Sequence, residues 1–182
     1  MSFTMFRIFS FLVIASLGLA LPSVACRDVR PATAIAPLSL SLLHSGSFGG
    51  FGGGSKSPEA VWIANENQWR DLLARTAEVL DASPATDAEE PDIDFAGYGV
   101  LLIRMGDKPT GGYGLRLSAT VAQITNRTAT VPVQWIEPGE GSITTQAITS
   151  PYIVVKMAKG PFDSIAIVDQ DGAVRLRLSR ER

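Results

Sequence analysis

The chain has 182 residues, of which 46% are hydrophobic and 19% are charged, and its formal net charge is −2. This length is sufficient for one domain with a proper core, and the balanced charge with scattered basic residues gives no basis for a nucleic-acid partner. The single histidine and single cysteine exclude a metal site built from these two ligand types.

The N-terminal residues 1–25 predict an export signal peptide. MSFTMFR carries one positive charge, IFSFLVIASLGLAL is too short for a comfortable membrane span, and SVA is a small-residue cleavage site. Cys26 directly follows SVA and is a candidate for lipidation; ordinary cleavage is the alternative, because Ser23 stands where lipoprotein signals usually have leucine. We expect an exported, membrane-anchored cell-envelope lipoprotein facing the periplasm or exterior, or otherwise a periplasmic protein.

The next residues, 26–36, form an N-terminal linker, and residues 37–182 are expected to form a single β-rich domain. PLSLSLL places Leu38, Leu40 and Leu42 on one face of a strand. The glycine-rich SGSFGGFGGGSKSP then predicts a long flexible loop that joins this strand to AVWIAN in a hairpin. NENQWRDLLARTAEVLDA has Trp69 and its apolar partners at helical spacing after an asparagine N-cap, and SPATDAEEPDID is a solvated acidic loop.

From Phe95 onward the pattern predicts only strands. YGVLLIRM is apolar on both faces and indicates a central strand, GLRLSATVAQI points Leu115 through Val121 inward at alternate positions, and TVPVQWI places Trp135 on the inner side. ITTQAIT and YIVVKMAK predict two strands with a bend at Ser150 and Pro151 between them. SIAIVDQ and AVRLRLS are joined by Asp171-Gly172, a strong hairpin signal.

These elements predict a mostly β fold with one helix, an α+β arrangement in which an antiparallel β-sandwich or barrel packs against a single amphipathic helix.

The sequence gives little support for catalysis. His44 lies in no motif that presents a nucleophile, and the acidic residues between strands are typical of solvated turns. GFGGGSKS is one residue short of a phosphate-binding loop and precedes a strand rather than a helix, so no cofactor is expected. We therefore predict a protein that is not an enzyme and holds neither metal nor cofactor.

GDKPTGGYGL, residues 106–115, is the most distinctive stretch of the chain. Pro109 and the glycines first indicate a hairpin turn, yet a turn needs only one or two such residues. A recognition loop is the alternative: proline limits its freedom, and the glycines would present backbone N–H groups to a partner. Tyr113 could either pack back on the domain or point outward as an anchor.

Around this loop the chain resembles the C-terminal domain of PrcB-type protease-complex subunits. The resemblance covers about residues 95–160 and is carried by DFAGYGVLLIRMGDKPTGGYGLRL and VPVQWIEPGEGSITTQAITSPYIVVKMAKG. It implies an exported accessory protein of an extracellular or envelope protease, and not an enzyme. The expected partner-binding residues are Lys108, Pro109, Thr110, Gly111, Gly112, Tyr113, Pro151 and Tyr152.

A second resemblance is to chagasin-type inhibitors of cysteine proteases, whose N-P-T-T-G-Y loop is similar to residues 108–113. Those inhibitors present three loops at one end of a sandwich, and PGEGS (138–142) and SPY (150–152) could supply the other two. A single strand over 143–149 would, however, place these two segments at opposite ends. Protease inhibition and a purely structural role in the envelope are therefore the alternatives to an accessory subunit.

Overall fold

The computed structural model describes residues 37–49, 56–80 and 92–180. The predicted signal peptide, Cys26, the linker 26–36, residues 50–55 of the glycine-rich segment and residues 83–91 of the acidic loop lie outside these residues. The elements within them are β1 (Leu38–Gly49), β2 (Glu59–Ile63), α1 (Glu66–Leu80), β3 (Tyr98–Arg104), β4 (Gly114–Leu117), β5 (Val121–Thr125), β6 (Thr128–Ile136), β7 (Thr149–Ala158), β8 (Ser164–Val168) and β9 (Val174–Ser179).

The strands form one sheet in the order β2-β3-β7-β1-β5-β6-β8-β9, with β4 paired to the second half of β6. The two outer strands, β2 and β9, approach each other, so that the sheet is a nearly closed barrel. The predicted mostly β fold with one helix is confirmed. Most of the strand pairs are antiparallel, and the exception is the parallel pair of β6 and β8. Between these two strands the chain forms β7, which lies in another part of the sheet, so β8 runs in the same direction as β6.

Two apolar clusters cover the two faces of the central strands. Because successive side chains of a strand point to opposite faces, Leu101 and Ile103 of β3 belong to the inner cluster, while Val100 and Leu102 belong to the outer one. The inner cluster fills the barrel with residues from most of the strands, including Trp135, which is 4% exposed. β3 is buried on both faces, as its uniformly apolar sequence predicts.

Helix α1 covers the outer cluster. Asn65 is its N-cap, as predicted: the Asn65 side-chain oxygen accepts a hydrogen bond from the Gln68 N–H at 3.0 Å, and the Gln68 side chain accepts one from the Ala64 N–H. Trp69 is buried against Ile63 and the outer face of β3. Among the described helices, none is both long enough and apolar enough to cross a membrane.

Several predicted pairings are wrong. β1 does not form a hairpin with β2; it pairs with β7 and β5, while β2 pairs with β3. β1 also continues through residues 45–49, which were expected to be loop, because β7 offers a complete row of partners there. Leu42, which directly precedes a bulge between Leu42 and His44, is 47% exposed, so burial of the alternating leucines ends at Leu40.

Strand phase and bounds also differ from expectation in the second half. The run predicted as one strand divides at residues 118–120, after which Ala122 rather than Val121 faces inward. ITTQAIT forms no strand; residues 137–148 are a loop. The bend expected at Ser150 and Pro151 is absent, because β7 starts at Thr149 and Pro151 pairs in register with Ser47.

Candidate functional site

The stretch GDKPTGGYG does not form a hairpin turn. β3 pairs with β2 and β7, whereas β4 pairs with β6, so residues 105–113 cross from one part of the sheet to another. We call this segment the crossing loop, and residues 137–148 the neighbouring loop. The interpretation as a simple turn is wrong because both flanking strands have other partners.

The crossing loop is held by hydrogen bonds to the neighbouring loop and to the start of β7. Lys108 and Thr149 exchange two backbone bonds, with N···O distances of 2.7 and 3.0 Å. The Gly111 N–H donates to the Thr145 carbonyl at 2.9 Å, and the Thr149 hydroxyl donates to the Thr110 carbonyl at 2.9 Å. The two segments thus form a short ladder outside the main sheet. The expectation that the glycines present free N–H groups is wrong for Gly111, whose N–H is used within the molecule.

Small residues allow the close contact between the two loops. A Cβ on Gly111 would lie 2.3 Å from the Thr145 hydroxyl oxygen, and a Cβ on Gly112 would lie 3.1 Å from a Thr144 methyl group. Gly112 has a φ of 87°, which L side chains rarely adopt. The glycines therefore serve packing as well as backbone conformation.

At the other end of the crossing loop, Gly106 has a φ of 74°, and a Cβ there would lie 2.6 Å from the Ser57 backbone. Residues 56 and 57, which directly precede β2, therefore lie against the start of the loop. The Met105 N–H donates to the Pro151 carbonyl at 2.9 Å. The loop is thus fixed at both ends and in its middle.

Within the loop, the polar side chains differ in exposure. Pro109 is exposed and Thr110 half-buried, while Tyr113 packs on the inner cluster with the Lys108 ammonium 5.4 Å from its ring centre. Of the two orientations open to Tyr113, the structure has the inward one. Lys108 and Thr110 keep part of their side chains accessible, as a contact with a partner requires.

Pro151 and Tyr152 belong to β7, where the Pro151 carbonyl meets the start of the crossing loop and the Tyr152 side chain packs in the outer cluster. Both are buried, and Tyr152 is 4% exposed. The Tyr152 phenol oxygen is 2.9 Å from Nδ1 of His44, with the two rings stacked, and burial raises the pKa of the phenol. The start of β7 brings these two residues close to the loop, but their direct contact with a partner stays a prediction.

The neighbouring loop went unnoticed as a candidate except for PGEGS. Pro138 contacts Gly112, so this loop and the crossing loop do lie together, contrary to the expectation that a strand at 143–149 separates PGEGS from SPY. The segment SPY is nevertheless no third loop, since it belongs to β7 and is buried. The β-branched residues of ITTQAIT, in the neighbouring loop, predicted a strand. Only the long-range hydrogen bond between Gly111 and Thr145 shows that this segment instead holds the crossing loop.

Among the described residues, no group of three or more His, Cys, Asp or Glu side chains is placed to hold a metal ion. This end of the barrel has paired loops, a fixed backbone and accessible polar side chains, and functional residues commonly lie on loops that a rigid scaffold positions. Residues 100–158, from β3 through β7, match the family model described as PrcB C-terminal.

The match confirms the resemblance to PrcB-type subunits and includes both loops. A PrcB C-terminal domain suggests a subunit associated with a protease complex. The resemblance to chagasin-type inhibitors finds no support. No curated protein and no solved structure matches the chain.

Proposed function

We propose that this protein is a non-catalytic, exported accessory subunit that binds a protease through the crossing loop. The observation that carries the proposal is the PrcB C-terminal match, because residues 100–158 contain the crossing loop together with the neighbouring loop and the strand that hold it. The proposed contact set is Lys108, Pro109, Thr110, Gly111, Gly112 and Tyr113, with Pro151 and Tyr152 at its base.

The fixed backbone supports this role. A loop that already has its bound conformation loses little conformational entropy when a partner docks. The hydrogen bonds of Lys108, Gly111 and Thr149 connect segments far apart in sequence, so they restrict the loop more than its own proline could. Binding and folding should therefore be separable at side chains that point away from this ladder.

Lys108 and Thr110 provide the test. Both contribute to the ladder through backbone atoms, which alanine retains, so the double variant Lys108→Ala/Thr110→Ala should preserve the loop. The lost ammonium contact with Tyr113 costs only about 0.5–1 kcal/mol at such a site. We expect capture of exported proteases in a pull-down to weaken by at least about tenfold, the effect of losing a contact of about 1.4 kcal/mol.

Lys156→Ala is a matched control for the loss of the lysine. The Lys156 ammonium lies 5.2 Å from the ring centre of Tyr98, a contact like that of Lys108 with Tyr113, but near the opposite end of β7. It should leave capture unchanged. Capture that survives the double variant at an equal urea midpoint, or a wild-type protein that captures no protease, would contradict the proposal.

The proposal includes export and anchoring through a lipid on Cys26. The support is the order of a charged start, an apolar stretch and a small-residue cleavage site directly before the sole cysteine. Cys26→Ser should release the protein from the membrane fraction into the soluble fraction. An unmodified cysteine in the mature wild-type protein, detected by mass spectrometry, would show that the anchor is wrong.

A further inference from the structure

The neighbouring loop presents an apolar side chain at its outermost part. The side chain of Ile143 is fully exposed, at 103% of its reference area, and Ile148 on the same loop is 53% exposed. A single exposed apolar residue is common on protein surfaces and needs no explanation by itself. Ile143 is different because its backbone is held in place on both sides.

A turn holds the chain before Ile143. The Ser142 N–H donates to the Gly139 carbonyl at 3.1 Å. Gly141 in this turn has a φ of 76°, and a Cβ built on it would have no neighbour within 4 Å. Gly141 is thus required by the turn conformation and not by packing. The turn directs the chain outward immediately before Ile143.

Contacts with the crossing loop hold the chain after Ile143. The Thr144 methyl group packs on Gly112, and the Thr145 carbonyl accepts the hydrogen bond from Gly111. Ile143 therefore lies between two fixed points. Its exposure is a property of a restrained backbone, so a partner that buries it need not order the loop first.

Three of the four charged residues on the crossing and neighbouring loops are acidic. Asp107, Glu137 and Glu140 are exposed, whereas Lys108 is half-buried over the Tyr113 ring. A surface that docks here favourably must present positive charge around its apolar contact, because like charges brought together at an interface are unfavourable. A partner surface with positive charge beside an apolar contact therefore complements these two loops.

We propose that Ile143 is the apolar anchor of the interface and enters a hydrophobic pocket bordered by lysine or arginine side chains on the protease. This inference rests on the proposed function and adds the second loop and the chemistry of the partner site. A few well-packed side chains near the centre of an interface commonly supply most of its affinity. Ile143→Ser should accordingly weaken capture of the protease at least about tenfold.

The test uses site-specific photo-crosslinking in cells that express the full chain. Replacement Ile143→p-benzoylphenylalanine is compared with Val121→p-benzoylphenylalanine, since Val121 is 38% exposed but lies on β5 beside Ser39, at the start of β1. We expect a strong adduct with an exported protease at position 143 alone. Mass spectrometry of the adduct should identify a peptide with apolar residues next to lysine or arginine.

Urea unfolding accompanies the binding measurement. Ile143→Ser and Val121→Ser should both leave the urea midpoint nearly unchanged, and only the first should reduce capture. An adduct with a second copy of this chain, an adduct with lipid, or equal adducts at both positions would overturn the inference. If Lys108→Ala/Thr110→Ala abolishes capture of a protease while Ile143→Ser does not, Ile143 is not the anchor but the proposed function is supported. If wild type captures no protease, both the anchor and the proposed function are wrong.

Discussion

The crossing loop and the β8–β9 turn satisfy their backbone groups in opposite ways. In the turn, the Asp169 carboxylate accepts hydrogen bonds from the N–H groups of Asp171 and Ala173 and from Arg175, all within seven positions of the chain. In the crossing loop, the partners of Lys108 and Gly111 are Thr149 and Thr145, on a separate segment. The turn is a local structure, whereas the loop depends on the assembled barrel.

This difference determines where function can reside. A self-contained turn keeps its shape whatever surrounds it, but it offers few groups beyond those that it uses. A loop held by distant segments brings separate parts of the chain together, as the contacts of residues 108–112 with residues 144–149 show. Variants can distinguish the stability of the turn, which comes from its own residues, from that of the crossing loop, which comes from distant segments.

The largest effect is expected at Trp135, which supports both regions. Its strand pairs Trp135 with Leu115 just after the crossing loop, its backbone N–H donates to the Gln170 side chain of the turn at 2.9 Å, and Arg175 lies over its ring. Trp135→Ala should lower the free energy of unfolding by about 3–5 kcal/mol, the usual cost of truncating a buried large aromatic. A loss below about 1 kcal/mol in urea unfolding, which is typical of surface positions, would contradict this role.

A pair of glycines tests the comparison directly. Gly106 and Gly172 have φ values of 74° and 81°, so alanine is strained at both, but only at Gly106 would the new Cβ meet the backbone, that of Ser57. Gly106→Ala should therefore cost about 1–3 kcal/mol more than Gly172→Ala, which is the range for overpacking a close contact. Equal urea midpoints for the two variants would show that residues 56 and 57 do not constrain the crossing loop.

Removal of one hydroxyl tests the ladder alone. Thr149→Val deletes the bond to the Thr110 carbonyl and should cost about 0.5–1.5 kcal/mol. Hydrogen exchange gives the sharper measurement: the amides of Lys108 and Gly111 should exchange faster, while those of Asp171 and Ala173 should not change. Uniform acceleration at all four amides would indicate a global loss of stability instead.

The smallest expected effect is a difference between two pH profiles. Burial acts to raise the pKa of Asp169, but the hydrogen bonds from Arg175, Ala173 and Asp171 and the charge of Arg175 outweigh it, so the pKa lies below its ordinary value of 3.8. A lowered pKa means that this carboxylate stabilises the fold above pH 3.8 and that the contribution is lost as the pH falls through the folded-state pKa.

Asp169→Asn removes this acid-sensitive contribution. As the pH falls below 3.8, the urea midpoint of wild type should therefore decrease more steeply than that of the variant. Asp171→Asn is the control, because Asp171 contributes its backbone N–H to the turn. Parallel profiles for wild type and Asp169→Asn would mean that this carboxylate does not stabilise the turn.

Features encoded by neighbouring residues were predictable from the sequence. The N-cap at Asn65, the Asp171-Gly172 turn and the inward side of β6 depend on residues a few positions apart, and the structure has all three. In each case the chemical signal and the structure share one short stretch.

Features decided by distant partners were not predictable in this way. Alternating leucines identify β1 as a strand, yet nothing in them specifies β7 rather than β2 as its neighbour. ITTQAIT has the composition of a strand, but in the fold it makes only isolated contacts with Gly111 and Gly112. The residues of the crossing loop exceed what a turn needs, which makes it a candidate site in the sequence, whereas Ile143 has no such signal.

The position of β1 has a consequence for the order of events in folding. This strand begins the described domain but lies between β5 and β7, and Leu40 pairs with Met157. Contacts between such distant residues slow folding, typically to milliseconds or seconds, because a long chain must close before the pairing can form. Until β7 arrives, one edge of β1 has no partner and can pair with another chain. A chain that ends before Thr149 should therefore aggregate rather than fold, and kinetic competition between intramolecular and intermolecular pairing should set the yield of refolding.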